Sequence, residues 1–204
     1  MKKFLSILMS AIFLSAFSAC SKTETSSEAV SEIYEGNGYT IEIDSSKWMD
    51  VTEYIDTIAE MAEGHDAAKN LNITAEDLKG MSDAMYYYKD DNSVNFNIMV
   101  SEIGDVGEID KDMLEQLAVA MESQYEAMTG YSYQGYEVLE ANGNPALKVN
   151  LSTDAQVYGE ELKMSVYMIF NGTKQYGFTY TAKTDSYDKV FPEFEAIVNS
   201  VSFE

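Results

Sequence analysis

The sequence contains no arginine, one cysteine (Cys20), one histidine (His65) and two prolines, Pro145 and Pro192. Each scarcity closes a route. Its 13 basic residues, all lysine, stand against 35 acidic ones, for a formal net charge of −22 at pH 7. Such a chain has no basic surface with which to displace counterions from phosphates, so nucleic acid is excluded as a partner. The same balance argues against peripheral attachment to anionic headgroups. One cysteine forbids an internal disulfide. A single histidine with no second cysteine leaves no ligand set for zinc, and His65, in "EGHDAA", reads as a solvated loop residue. There is no G-x-S-x-G elbow, phosphate-binding glycine loop or dinucleotide fingerprint. Carboxylates are so numerous that pairs arise by chance, and no acid–base dyad can be argued from them. The pattern points to no enzyme and to no cofactor.

One apolar run stands out. Lys2 and Lys3 precede "FLSILMSAIFLSAF", Phe4 to Phe17, which carries no charge. The small residues Ser18 and Ala19 then lead into Cys20. This is the layout of a secretory signal, and the run is shorter than the ~20 apolar residues of a comfortable membrane span. The segment "FSAC" resembles the lipobox of bacterial lipoproteins, with Phe17 where leucine is usual. That resemblance implies cleavage before Cys20, lipidation of its sulfur, and a protein held on the extracytoplasmic face of a membrane by its lipid chains. Each buried methylene would contribute ~0.8 kcal/mol to that anchoring. Cleavage there removes two lysines and no acid, so the remaining chain is more acidic still, which suits a soluble extracytoplasmic surface.

The expected organisation is a signal peptide over residues 1–19, a lipidated cysteine and flexible tether over 20–36, and one domain over 37–204. The tether reading rests on "SKTETSSEAVSE", polar and without apolar periodicity. Beyond it the chain is too apolar to be disordered, with 15 Tyr and 12 Met in the whole sequence. No internal repeat is present.

Within the domain, Tyr39, Ile41 and Ile43 alternate with polar residues as in a half-buried strand. An acidic helical insertion is expected near 53–80, as two short helices around Gly64. "DAMYYYK" and "SVNFNIMVSEI" flank the turn cluster "DDNS" and predict a hairpin. Leu114, Leu117, Ala118, Met121, Tyr125 and Met128 make one stripe of a helix from about Asp110 to Met128. Four strands follow, "YSYQGYEVLE", "ALKVNLST", "ELKMSVYMIF" and "KQYGFTYTAK", the last two joined by a tight turn at Asn171-Gly172. A final helix is expected from about Ser186 to Asn199, with Pro192 threatening a kink or a late start. The pattern therefore predicts an α+β domain: an antiparallel sheet of about six or seven strands flanked by helices on both faces.

This order of elements resembles the PsbP-like superfamily. The resemblance is carried by "GYTIEIDSSKW", "SVNFNIMVSEI", "YEVLEANGNPALKVNLS" and "YDKVFPEFEAIVNSVSF", and covers about Gly38 to Phe203. Residues Glu53 to Gly80 depart from it as an insertion. It implies an αβα sandwich that serves as a binding or assembly domain for a protein partner rather than turning over a substrate.

Two sets of residues are candidates for recognition. "MYYYK" and "YSYQGY" supply Tyr86, Tyr88, Tyr131 and Tyr133, which would suit a protein partner if exposed and would fill the core if not. Asp105, Glu108, Asp110 and Asp112 offer oxygen ligands for calcium, but lack the spacing of a helix–loop–helix calcium site and also suit a turn and a helix start. Small-ligand or cation binding is the alternative function.

Overall fold

Strand β5, Asp91–Glu102, sets the pattern of the molecule. Its Val94, Phe96 and Ile98 point to one side and Asn95, Asn97 and Met99 to the other, and all six are buried. A strand buried on both faces must lie inside a covered sheet. The computed structural model describes residues 31–57, 60, 74, 76, 79 and 82–204. The signal and Cys20, His65 and most of the expected insertion lie outside these residues.

The other elements are β1 (Ser31–Gly36), β2 (Tyr39–Asp44), β3 (Trp48–Asp50), β4 (Ser82–Tyr88), α1 (Lys111–Glu126), β6 (Tyr131–Ala141), β7 (Asn144–Thr153), α2 (Ala155–Tyr158), β8 (Leu162–Asn171), β9 (Lys174–Lys183), α3 (Thr184–Asn199) and β10 (Ser202–Phe203). A 3₁₀ turn, Thr52–Tyr54, follows β3. Seven strands form one sheet in the order β3-β4-β5-β9-β8-β7-β6, and β1-β2-β10 form a second, smaller sheet. Every pairing is antiparallel. The expected α+β architecture is therefore present, with one addition: the strand at Tyr39 belongs to the smaller sheet rather than to the main one.

The two faces are covered differently. On one, Leu114, Ala118, Met121 and Tyr125 of α1 pack on Leu147, Val149, Leu151, Met164, Val166 and Met168. On the other, Val190, Phe194, Ile197 and Val198 of α3 share the cover with Tyr39, Ile41 and Ile43 of β2, over a sheet face that includes Trp48 of β3. This second face is aromatic: Phe194 stacks on Tyr180 at 5.1 Å, Trp48 meets Phe96 edge-on at 4.8 Å, and Tyr86 stacks on Phe96 at 4.8 Å.

Four local readings change. Ser31–Gly36, expected in the tether, is strand β1, paired from Ser31 opposite Asp44 to Gly36 opposite Tyr39. It shows no apolar alternation because main-chain pairing holds it more than burial does, and Ile33 is largely exposed. Its inward anchor is Tyr34, which packs against Tyr39 and Tyr86 and donates a hydrogen bond to the Asp83 carbonyl at 3.1 Å. Helix α3 starts earlier than expected and passes through Pro192. Pro192 and Asp188, whose carbonyl loses its donor, are both on the solvent side, where water can replace the missing bond. The Asn171-Gly172 turn is displaced by one residue, since Asn171 pairs with Lys174 and Gly172 (φ 59°) takes the first central position. The double left-handed turn lies instead at Asn142-Gly143, φ 48° and 77°, between the paired Ala141 and Asn144.

Buried phenols give this fold a defined alkaline limit. Burial, then the nearby Asp83 and Asp50, push the Tyr34 pKa from 10.0 up to about 12. Burial raises Tyr39 and Tyr180 in the same direction. The folded state holds these protons more tightly than the unfolded chain. Stability is therefore complete below pH ~10 and falls as pH rises through the ordinary phenol range toward the folded values. Urea unfolding at stepped pH should show that fall, and Tyr34→Phe should make it shallower.

Candidate functional site

The tyrosines singled out in the sequence separate into two groups. Tyr86 and Tyr88 lie on β4 and face α3. Tyr86 is 4% exposed, and Tyr88 packs edge-on against Trp48 at 5.1 Å. Burial raises the pKa of both phenols. Tyr131 and Tyr133 lie on β6, at the far edge of the sheet, and face α1. Tyr131 is 7% exposed and packs on Tyr125 with ring centres 6.0 Å apart. The two pairs are thus on opposite faces and far apart in the sheet, and form no common patch.

A site does form around Tyr133. Strand β6 carries a bulge at Gln134, where Tyr133 is opposite Leu151 and Gly135 is opposite Asn150. The bulge leaves Gly135 at φ 114°, a conformation glycine tolerates. Its effect is to bring Tyr133 and Tyr136 to the same face, although three residues apart they would face opposite ways in a regular strand. Tyr136, opposite Val149, is 42% exposed. Tyr133 is half-buried, and its hydroxyl oxygen has no hydrogen-bond partner among the described residues.

Helix α1 supplies the wall beside this ledge. Burial, then the carboxylate of Glu122, then Tyr136, push the Tyr133 phenol up to about 12. Glu115, Val119, Glu122 and Glu126 recur at spacings of three and four and so share one flank of the helix. Val119 is 56% exposed, and Glu115 is paired with Lys111 at 3.3 Å. The arrangement is an aromatic ledge beside an acidic helix flank at an open sheet edge. Tyr136 belongs to a tyrosine cluster visible in the sequence, but the bulge that aligns it with Tyr133 has as its sequence sign only a glycine inside a strand pattern.

The loop before α1 holds the other candidates. The Asp105 carboxylate accepts from the Gly107 amide at 3.0 Å, and that of Asp110 caps α1 by accepting from the Met113 amide at 2.8 Å. Among the described residues no group of three or more His, Cys, Asp or Glu side chains converges as a metal site, so Asp105, Glu108, Asp110 and Asp112 are not brought together as ligands.

The α1 face of the sheet also carries a buried polar row that the sequence reading passed over. Asn95 is opposite Thr181, Asn97 is opposite Thr179, and all four are buried. Asn97 is 3% exposed, and its Nδ2 has no partner among the described residues. An unmet buried donor costs about 1–3 kcal/mol. Asn97→Val removes the donor and suits a strand, so it should raise stability by about 1 kcal/mol in urea unfolding. Separately, Glu122→Gln should bring the Tyr133 pKa below its value of about 12. Near-ultraviolet tyrosinate absorbance, taken as the difference from Tyr133→Phe, reads that shift.

No helix among the described residues is long and apolar enough to cross a membrane. No protein-family model matches the chain, and neither does any curated protein. Solved structures do. The cyanobacterial PsbP (CyanoP) of Synechocystis sp. PCC 6803 is similar at a TM-score of 0.52 and 13% identity, covering 92% of this chain and 99% of its own. The Saccharomyces cerevisiae Ran-binding protein Mog1p gives 0.49 at 9% identity, covering 86% and 96%. LpqN of Mycobacterium tuberculosis, described as involved in cell envelope biogenesis, gives 0.45 at 12% identity, covering 58% and 70%. At these identities the likeness concerns shape: the chain has a PsbP-like fold.

Proposed function

We propose that this protein is a lipid-anchored, extracytoplasmic binding module that holds a protein partner and performs no chemistry on it. The observation that carries the reading is the aromatic ledge of exposed Tyr136 and half-buried Tyr133 beside the acidic flank of α1. Tyrosine combines apolar area with a polar tip and is enriched where proteins meet. The lipobox-like "FSAC" and the strongly acidic composition support attachment through Cys20 rather than through surface charge. The CyanoP likeness supports a scaffold able to carry such a surface and says nothing further about the partner.

A second reading, a carrier of a small neutral ligand, is favoured by the unmet Asn97 amide on its buried row. It requires an enclosed space above that row. The ledge requires only the exposed surface that is present, and the module reading is therefore preferred.

A photo-crosslinking residue at position 136, introduced in the native membrane, should capture one reproducible partner. Capture should disappear when the same residue is placed at position 188 of α3. In the same preparation the N-terminal peptide should carry an acylated Cys20, and Cys20→Ala should release the chain from the membrane. A lipidated chain that captures nothing at 136 would overturn the module reading. An unmodified, soluble chain would overturn the anchor.

A further inference from the structure

Among the described residues strand β6 ends the seven-stranded sheet and is paired on one side alone, to β7. At eleven residues it is long for an open edge, and an open edge is a template for another strand. The other open edge of this sheet, β3, has three residues and offers little. Natural edges are commonly blunted by lysine, proline or a bulge; β6 has no lysine or proline, and its bulge at Gln134 leaves Tyr136 to Ala141 in regular register. Its charges are Glu137 and Glu140, and the flank of α1 beside it adds Glu115, Glu122 and Glu126.

We infer that β6 accepts a basic, extended segment of the protein partner as an additional antiparallel strand. This rests on the module reading above and names the chemistry of the partner. Main-chain hydrogen bonds to the free side of β6 would supply register, and alternate side chains of the incoming strand would supply specificity. On the α1 side, lysine or arginine side chains would lie over Tyr133 and Tyr136, where ring faces attract cations, with Glu122 beside them. The Gln134 bulge gathers both tyrosines on that side, so one strand face meets both.

Charge selects the occupant. A second copy of this chain would bring Glu137, Glu140 and the α1 acids close to the same set of carboxylates on its partner, and like charges across a strand pair repel. An acidic or neutral segment would bring no counter-charge to Glu122, Glu126 and Glu140. A basic segment neutralises them and is steered in by a field of net charge −22.

The test uses the full chain in neutral-detergent micelles and two synthetic strand-forming peptides of about ten residues. One alternates lysine with valine and threonine, and the other has glutamate for lysine. The lysine peptide should bind by fluorescence anisotropy, weaken with salt, and slow amide exchange in β6. Tyr136→Lys and Glu122→Lys should each weaken it about tenfold. Should Tyr136→Lys fail to fold, Glu122→Lys, on the half-buried flank of α1, carries the test. Four results would each overturn the inference: no binding of the lysine peptide, equal binding of the glutamate peptide, exchange protection away from β6, or self-association of the free chain through β6. If position 136 still captures a membrane partner in those cases, the module reading stands and the strand mode alone falls.

Discussion

The pairing of β9 onto β5 is the constraint on which the rest of the structure depends. It runs from Asn95 opposite Thr181 to Glu102 opposite Lys174 and joins the two halves of the chain at the centre of the sheet. Once β5 is central, the chain cannot continue beside it. It must cross to the far edge and return by three hairpins. That crossing spans four strand spacings, about 19 Å, and the loop with α1 provides it. Ile103, at the exit of β5, donates its amide to the Thr173 carbonyl at 2.8 Å and pins the start of the crossing to the β8–β9 turn. The position of α1 over β6 and β7 follows from this route, and so does the bare edge beyond β6. The surface proposed to bind is thus a product of topology.

Where one face of an element is apolar and the other polar, the sequence was readable. The α1 stripe is buried at Leu114, Ala118, Met121 and Tyr125 as its spacing indicates, and α3 buries Val190, Phe194, Ile197 and Val198. The β4–β5 hairpin and the meander from β6 to β9 follow the alternation and turn residues of their segments. Reading fails where pairing or context replaces pattern. Strand β1 is polar and held by main-chain bonds to β2, so it resembles a tether. The β6 bulge changes which side Tyr136 faces without altering composition. Asn95, Asn97, Thr179 and Thr181 are polar and carry no burial signal of their own, yet the structure buries them. Of the candidate site, the tyrosines were visible and their grouping was not.

Acidity is distributed with a purpose that the fold explains. Several lysines are occupied: Lys148 lies over the Tyr167 and Phe191 rings and pairs with Glu195, Lys47 pairs with Glu193, and Lys183 pairs with Glu160. These ion pairs sit around α3 and its neighbours. Among the described residues the flank of α1 facing β6 has one ion pair, Lys111 with Glu115. The positive charge that the chain possesses is thus spent mainly on the α3 face, and the β6 edge keeps its carboxylates for something else to meet.

The smaller sheet has a different consequence. Its middle strand, β2, is flanked by β1 from the same hairpin and by β10, residues 202–203, from the other end of the described chain. Phe203 closes against Tyr176 at 4.7 Å, and the Glu204 amide donates to the Gly38 carbonyl at 3.3 Å. Among the described residues neither sheet is complete early: β5 waits for β9, and β2 waits for β10. Such long-range closure is intrinsically slow. For the exported chain proposed above, which would cross a membrane unfolded, slowness of this kind is an asset, because the last strands to emerge are those that permit the first to settle.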